Sequence, residues 1–416
     1  MDVTLTTDSW IGCEGLFSES ALPGQAWVHC KNGLIQEIRS TPPDHSDTDS
    51  NIVEPGGGPA YLVPLLADTH VHFYMEPWPL DPSQRQRSGE KPLEEEIDDA
   101  IARVQGALAA GIGMLRDMGD PHGINLAVKR RFAAVDMKSP ELLVAGSGMH
   151  RPKKYGRFLG VMRETVEDIK ESINDLIDSH DVDYIKLVAT VIVNFEEKAV
   201  RQSPQFSTAE LEELVHYSHD RGRKVAAHCS GVDGLKIAID AGVDFIEHAY
   251  FITDEQLARM IDKGLMWTPT FVPVYTQAYH DECGWSDEVR ESIKEILAGH
   301  NRMVRMAHEC GALLMAGTDA GCPGVEMGRG LRTELACMAD SGISATQLLK
   351  MATVTNAELC GARQYSGRIE VGGEASFGVY QQPPWQDVKN LESLVAVYHH
   401  GEQVAGVTPV KSFTAH

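Results

Sequence analysis

The stretch AAHCSGVDGLKIAIDAGVDFIEHA, residues 226–249, contains two short apolar runs, each closing on a histidine, with a helical stretch between them. His228 and His248 stand 20 residues apart, the length of one strand–helix repeat, which places the two imidazoles at equivalent points on adjacent parallel strands. Two unrelated core histidines would have no reason to share that spacing.

The same rhythm extends outward in both directions. With KVAAHCS (224–230) and DFIEHAY (244–250), the runs LVPLLADTHVHF (62–73), GIGMLRDMG (111–119), ELLVAGSGM (141–149), DYIKLVAT (183–190), LMWTPT (265–270) and ALLMAGTDAG (312–321) make eight. Amphipathic segments separate them. In ETVEDIKESINDLIDSH, Val166, Ile169, Ile173, Leu176 and Ile177 form one stripe, and STAELEELVHYSHDRG opens with Ser207 and Glu210 at capping-box spacing. Eight strands, each followed by a helix, predict an α/β chain folded as a (β/α)8 TIM barrel over 63–365. The connection 271–311 is long and carries the helix SDEVRESIKEILAGHNRMVRMAHE, which predicts a lid.

Residues 1–62 and 366–416 break the rhythm. WVHCKNGLIQEI holds an Asn-Gly turn, and FGVYQQ and LVAVYHHGEQVAGV read as short strands, so both chain ends are expected to form one small β-sandwich-like domain beside the barrel. TPPDHSDTDSNIVEPGGGP (41–59) reads as a turn-rich surface connection.

Composition narrows the partners. Among 416 residues, 37 Lys+Arg face 60 Asp+Glu for a net charge of -23, which opposes binding to nucleic acid or to an anionic membrane. No window reaches the length of a membrane span, and MDVTLTTDSW shows neither a basic leader nor an apolar signal core, so a cytoplasmic location is expected. The eight cysteines lack a CxxC pair or a regular framework, as expected of reduced thiols. A homo-oligomer is compatible with this composition.

Five of the apolar runs end on a side chain able to bind a metal: His70 and His72, Lys186, His228, His248 and Asp319. In a barrel these ends converge on one mouth. His70 and His72, two apart on a strand, face the same way and can chelate one ion, or can simply be hydrogen-bonded. Lys186 among strand residues carries a desolvation penalty of several kcal/mol unless neutralised. Either a buried salt bridge, for instance to Asp319, or addition of CO2 to give a metal-bridging carbamate would neutralise it. Asp319 is placed to ligate a metal and take a proton from water, or to cap the next turn.

With these residues in view, the chain resembles the amidohydrolase superfamily, in the branch of imidazolonepropionase-like and Xaa-Pro dipeptidase-like members. The resemblance runs from LVPLLADTHVHF through AGIGMLRDMGD, QFSTAELEELV, AAHCSGVDGLKIAIDAGVDFIEHA and AGTDAG to LLKMATVTNAELCGA. It implies His70, His72 and Asp319 on an inner metal, His228 and His248 on an outer one, and Lys186 as the bridging carboxylated lysine. It also implies two divalent ions, zinc first, sharing a hydroxide, with Asp319 as proton acceptor. Leu65, Ser376 and Met327 depart from the family pattern where Gly, Asp and His are usual.

The loop MHRPKKYGRFLG places His150, Arg151, Lys153, Lys154, Tyr155 and Arg157 at the catalytic rim, either as an anion clamp or as a solvated basic loop. Tyr250, after the His248 strand, is a further substrate contact or a packing residue. Together these features predict hydrolysis of an amide bond in a small carboxylate-bearing molecule, such as an N-acyl amino acid or a dipeptide. The alternatives are a cyclic amidase or lactonase, a deaminase (disfavoured because mononuclear deaminases of the superfamily lack the strand-four lysine), and a non-enzymatic metal-binding barrel.

Overall fold

The computed structural model describes residues 5, 8–43, 51–53, 58–81, 90–135 and 137–406. Eight parallel strands form the barrel wall: β1 (Leu66–Val71), β2 (Ile112–Asp117), β3 (Glu141–Val144), β4 (Ile185–Val188), β5 (Val225–Cys229), β6 (Phe245–His248), β7 (Met266–Thr268) and β8 (Leu313–Leu314). Nearly every residue in them is buried, because barrel side chains inside and helices outside cover both faces of the sheet. Parallel registers join β1 to β2 to β3 and run from β4 through β8; Lys186 pairs with Ala226, and Cys229 with His248.

Two seams lie outside these registers. Between β3 and β4 the Asp183 amide donates to Val144 O at 2.9 Å, and an extra strand, Gly148–His150, pairs with β4. Between β8 and β1 the ring closes beyond the regular strand, through Thr69 N to Ala316 O (3.1 Å), Asp319 N to His70 O (2.7 Å) and His72 N to Ala320 O (2.8 Å). Asn356, on a helix far downstream, locks this second seam. Its Nδ2 donates to both Ala67 O and Ala316 O at 2.8 Å, and its Oδ1 accepts the Ala316 amide at 3.1 Å.

Helix starts follow the sequence signals. Thr165, Ser207 and Thr253 each cap a helix in a reciprocal capping box, and Ile169, Ile173 and Leu176 bury the stripe expected of their helix. The long connection 271–311 contains helices Phe271–Tyr279 and Asp287–Glu309.

The run 62–73 is divided between two sheets. Tyr61–Pro64 pairs antiparallel with Phe377–Tyr380 in a separate sheet, and the barrel strand starts only at Leu66. Pro64, with no amide proton to donate, ends the first piece. That separate sheet takes strands from both chain ends, in the order Glu402–Gly406, Leu394–His399, Phe377–Tyr380, Tyr61–Pro64, Ser9–Ser18, Ser20–Lys31 and Leu34–Arg39, with Asn51–Val53 beside Ser9–Ser18. Its own core includes Ile11, Leu16, Val28, Leu62 and Phe377. The turn-rich connection expected over 41–59 falls largely outside the described residues, as does the end of the chain from 407. Among the described residues no helix is long and apolar enough to cross a membrane, and all eight cysteines are free.

Candidate active site

The C-terminal ends of β1, β4, β5, β6 and β8 bring His70, His72, Lys186, His228, His248 and Asp319 to the floor of one cavity. Asp319 Oδ1 stands 3.3 Å from His70 Nε2 and 3.2 Å from His72 Nε2. Ring centroids are 4.9 Å apart for His70 and His248 and 4.5 Å apart for His228 and His248. His70, His248 and Asp319 offer ligand atoms that all lie within 4.8 Å of one another.

Each of three imidazoles is held from behind. His70 Nδ1 is 2.8 Å from Glu247 Oε2, His72 Nδ1 is 3.2 Å from Gly119 O, and His248 Nδ1 is 2.7 Å from Thr270 Oγ1. Such contacts fix ring orientation and leave the opposite nitrogen for a ligand. The backbone at these strand ends is unusual. His248 (φ 74°), Thr270 (φ 53°) and Asp319 (φ 58°) all occupy the left-handed region, which costs about 1–3 kcal/mol per non-glycine residue and is a mark of functional sites.

The electrostatics suit a bound cation. His70 lies between Asp319 and Glu247, and these carboxylates raise its pKa against the effect of burial. Burial acts to raise Asp319, but His70 and His72 hold it well below the usual carboxylate range. Burial, assisted by the Lys186 charge, pushes His228 down to about 3; burial and the neighbouring His228 and His70 push His248 well below the ordinary histidine value. Neutral imidazoles keep their lone pairs for an ion. Burial brings Lys186 down to about 8, with Glu247 opposing. The expected alternative of a Lys186–Asp319 salt bridge does not form; Lys186 Nζ lies 3.5 Å from Met118 Sδ and makes no ion pair among the described residues.

Glu247 and Arg116 escaped the sequence reading. Arg116 Nη2 donates to Glu247 Oε1 at 3.2 Å, with the guanidinium 4.0 Å from the Phe245 ring centroid and 4.5 Å from that of Tyr184. The signal was present as charged side chains, Arg116 and Glu247, inside the apolar runs 111–119 and 244–250. Burial acts to raise Glu247, and Arg116 and His70 outweigh it, so the carboxylate stays ionised behind His70.

The cavity above the floor measures about 510 Å³. Of the rim residues expected to touch substrate, only Tyr155 and Tyr250 line it. The Tyr155 ring lies 5.3 Å from that of His228, and the Tyr250 hydroxyl donates to Thr270 O at 3.1 Å. The arginine clamp is not assembled. Arg151 is buried, donating from Nη1 to Glu164 O (2.7 Å) and from Nη2 to Glu210 Oε1 (2.6 Å). Arg157 is exposed away from the cavity, and His150 Nδ1 turns to Arg151 O at 3.0 Å. Arg151→Ala is therefore expected to lower stability by about 1–3 kcal/mol in urea unfolding. Its KM should shift alike for carboxylate-bearing and neutral substrates; a rise confined to the former would restore the clamp.

The donor set fits a metal. His228 Nε2 is buried without a hydrogen-bond partner, an arrangement that proteins rarely leave unexplained, and it sits beside three further imidazoles and a carboxylate. Nitrogen and oxygen donors of this kind suit zinc, with manganese, cobalt or iron as competitors.

The family model described as the Amidohydrolase family matches residues 61–404. An uncharacterized protein of Mycobacterium tuberculosis is 27% identical over 375 residues, spanning 89% of this chain and 89% of its own. Ochratoxinase of Aspergillus niger is 26% identical over 197 residues, 47% of this chain and 40% of that one. Among solved structures, a Xaa-Pro dipeptidase with methionine in its active site superposes with a TM-score of 0.78 at 22% identity, covering 95% of this chain and 99% of the other. The A. niger ochratoxinase structure gives 0.76 at 19% identity, covering 96% of each. A family match over most of the chain, on a barrel whose strand ends gather this donor set, means that the chain belongs to the amidohydrolase family, an enzyme acting on carbon–nitrogen bonds of small molecules.

Proposed function

We propose that the chain hydrolyses an amide bond in a small carboxylate-bearing molecule, of the N-acyl amino acid or dipeptide class. Two divalent ions, zinc by preference, would be held by His70, His72, His228, His248, Asp319 and a CO2-modified Lys186. The observation that carries this reading is the Asp319 carboxylate, poised between His70 and His72 at the floor of a cavity of about 510 Å³. The activities by which similar proteins are named, a Xaa-Pro dipeptidase and an ochratoxinase, support it.

When bound, the ions supply Lewis acidity that polarises a carbonyl and acidifies water. The chain's own groups do the rest. Asp319, kept ionised by its imidazole neighbours, accepts the proton of the attacking water at Oδ and returns it to the leaving nitrogen. Lys186, its amine brought down to about 8, offers at neutral pH the uncharged fraction that adds CO2. Tyr155 stays protonated, since burial raises it well above the ordinary phenol value, and its hydroxyl can donate to a substrate oxygen. With no arginine among the described residues of the cavity wall, the substrate carboxylate is left to Tyr155 and to the amide NH2 of Gln277, whose Oε1 accepts from Trp285 Nε1 at 2.8 Å.

The test is a panel of N-acyl amino acids, dipeptides, cyclic amides and lactones, assayed with protein loaded with zinc in bicarbonate. N-acyl amino acids and dipeptides should head the ranking. Turnover confined to lactones or cyclic amides would replace this reading.

A further inference from the structure

The upper cavity wall is built from three separate segments. Phe158 comes from the loop after Gly148–His150; Ile192, Val193 and Phe195 follow β4; Val274 and Trp285 belong to the β7–β8 excursion. Phe195 and Trp285 meet edge-to-face with ring centroids 5.7 Å apart, joining the last two segments. Trp285 is fixed twice more, by Nε1 on Gln277 Oε1 and by its carbonyl, which accepts Arg290 Nε at 3.2 Å. Its polar atom is satisfied inside the wall, so the indole offers the cavity an apolar surface. Ala278, Ile293 and Ile296 pack with the lining residues Val274 and Tyr250 as one cluster.

Large apolar side chains are nonetheless left open at this mouth. Ile192 is 52% and Phe158 37% exposed, in a chain that buries most of its other isoleucine and phenylalanine side chains. A concave apolar patch continuous with a catalytic floor marks a ligand site. Charge decides what kind of ligand. Among the described lining residues Lys186 is the one Lys or Arg, and it lies 1% exposed at the floor, out of reach of a group held at the mouth. A charged group placed there would give up hydration and meet no opposite charge among the described residues of the mouth.

We infer that the mouth formed by Phe158, Ile192, Phe195, Val274 and Trp285 is a specificity subsite for a bulky uncharged group, aryl or branched alkyl, carried next to the scissile amide. This rests on the amidase reading above and names the substrate class within it. Burying one such group is worth roughly 10- to 100-fold in kcat/KM.

Two substrate series test it on the zinc-loaded protein: N-acylglycines from acetyl to phenylacetyl, and N-acetyl amino acids from alanine to phenylalanine. At least one series should climb roughly 10- to 100-fold from smallest to largest. Phe195→Ala should flatten that climb about tenfold, and Ile192→Lys, at an exposed position that leaves the fold alone, should turn the preference toward groups bearing an extra carboxylate. A flat response in both series, or variants that keep the wild-type ratio, overturns the subsite while leaving the amidase reading intact. If no amide is turned over, the amidase reading fails first. The subsite is then judged by calorimetry with 3-phenylpropanamide against propanamide, where equal affinity overturns it and at least tenfold tighter aryl binding, lost in Phe195→Ala, sustains it.

Discussion

Lys186→Ala is expected to leave a folded barrel that turns over its amide roughly 10²- to 10⁴-fold more slowly, the range that one positioned catalytic group supplies. Folding should survive because Lys186 forms no ion pair among the described residues and its amine touches only Met118 Sδ, at 3.5 Å. Removing an amine that burial already disfavours offsets part of the packing lost with its methylenes. Metal content measured on protein purified without chelators should fall below that of the wild type, and urea unfolding should move by no more than about 2 kcal/mol. Full turnover in this variant would remove Lys186 from the site and the two-ion proposal with it.

Arg116→Met is expected to do the reverse, losing about 3–5 kcal/mol of stability, the usual effect of removing one partner from a buried ion pair. Arg116 is 1% and Glu247 0% exposed, and Arg116 Nη1 also donates to Thr69 O at 3.3 Å. Methionine keeps much of the volume between Phe245 and Tyr184 but takes the guanidinium away from Glu247, which keeps its contact with His70. Adding Glu247→Gln should recover much of that loss in a double-mutant cycle, since the orphaned charge disappears. The double variant should still bind metal some 10- to 100-fold more weakly, because His70 loses the carboxylate that orients it. Additive stability losses in the two single variants would show that the pair is not coupled. On these expectations the two buried basic residues divide their effects, Arg116 acting on folding and Lys186 on turnover.

The residues gathered at the cavity floor were legible because strand-end position and residue type suffice to find them: apolar runs repeat at βα spacing, and His70, His72, Lys186, His228, His248 and Asp319 interrupt them at the same end. Barrel closure followed from the count of runs. What stayed hidden depends on contacts between distant segments. Arg151 reads as a rim cation until Glu210 and Glu164 O claim its guanidinium. Nothing in the run 62–73 except Pro64 announces that its first part belongs to another sheet. The left-handed backbone of His248, Thr270 and Asp319 defies local propensity altogether, since none of the three is glycine, and it persists only because the closed ring and its hydrogen bonds over-determine it.

The lock on the β8–β1 seam also bears on synthesis. Ribosomes deliver this chain from the N-terminus, so His70 and His72 emerge long before Asp319, and the side chain that ties Ala67 to Ala316 emerges later still, at Asn356. A nascent chain paused short of that point carries His70, His72, His228 and His248 on a ribbon whose last seam is not yet locked. The amidohydrolase centre is in this sense secured only once Asn356 has been made, and a truncation just before it should be a substrate for chaperones and proteases rather than a smaller enzyme.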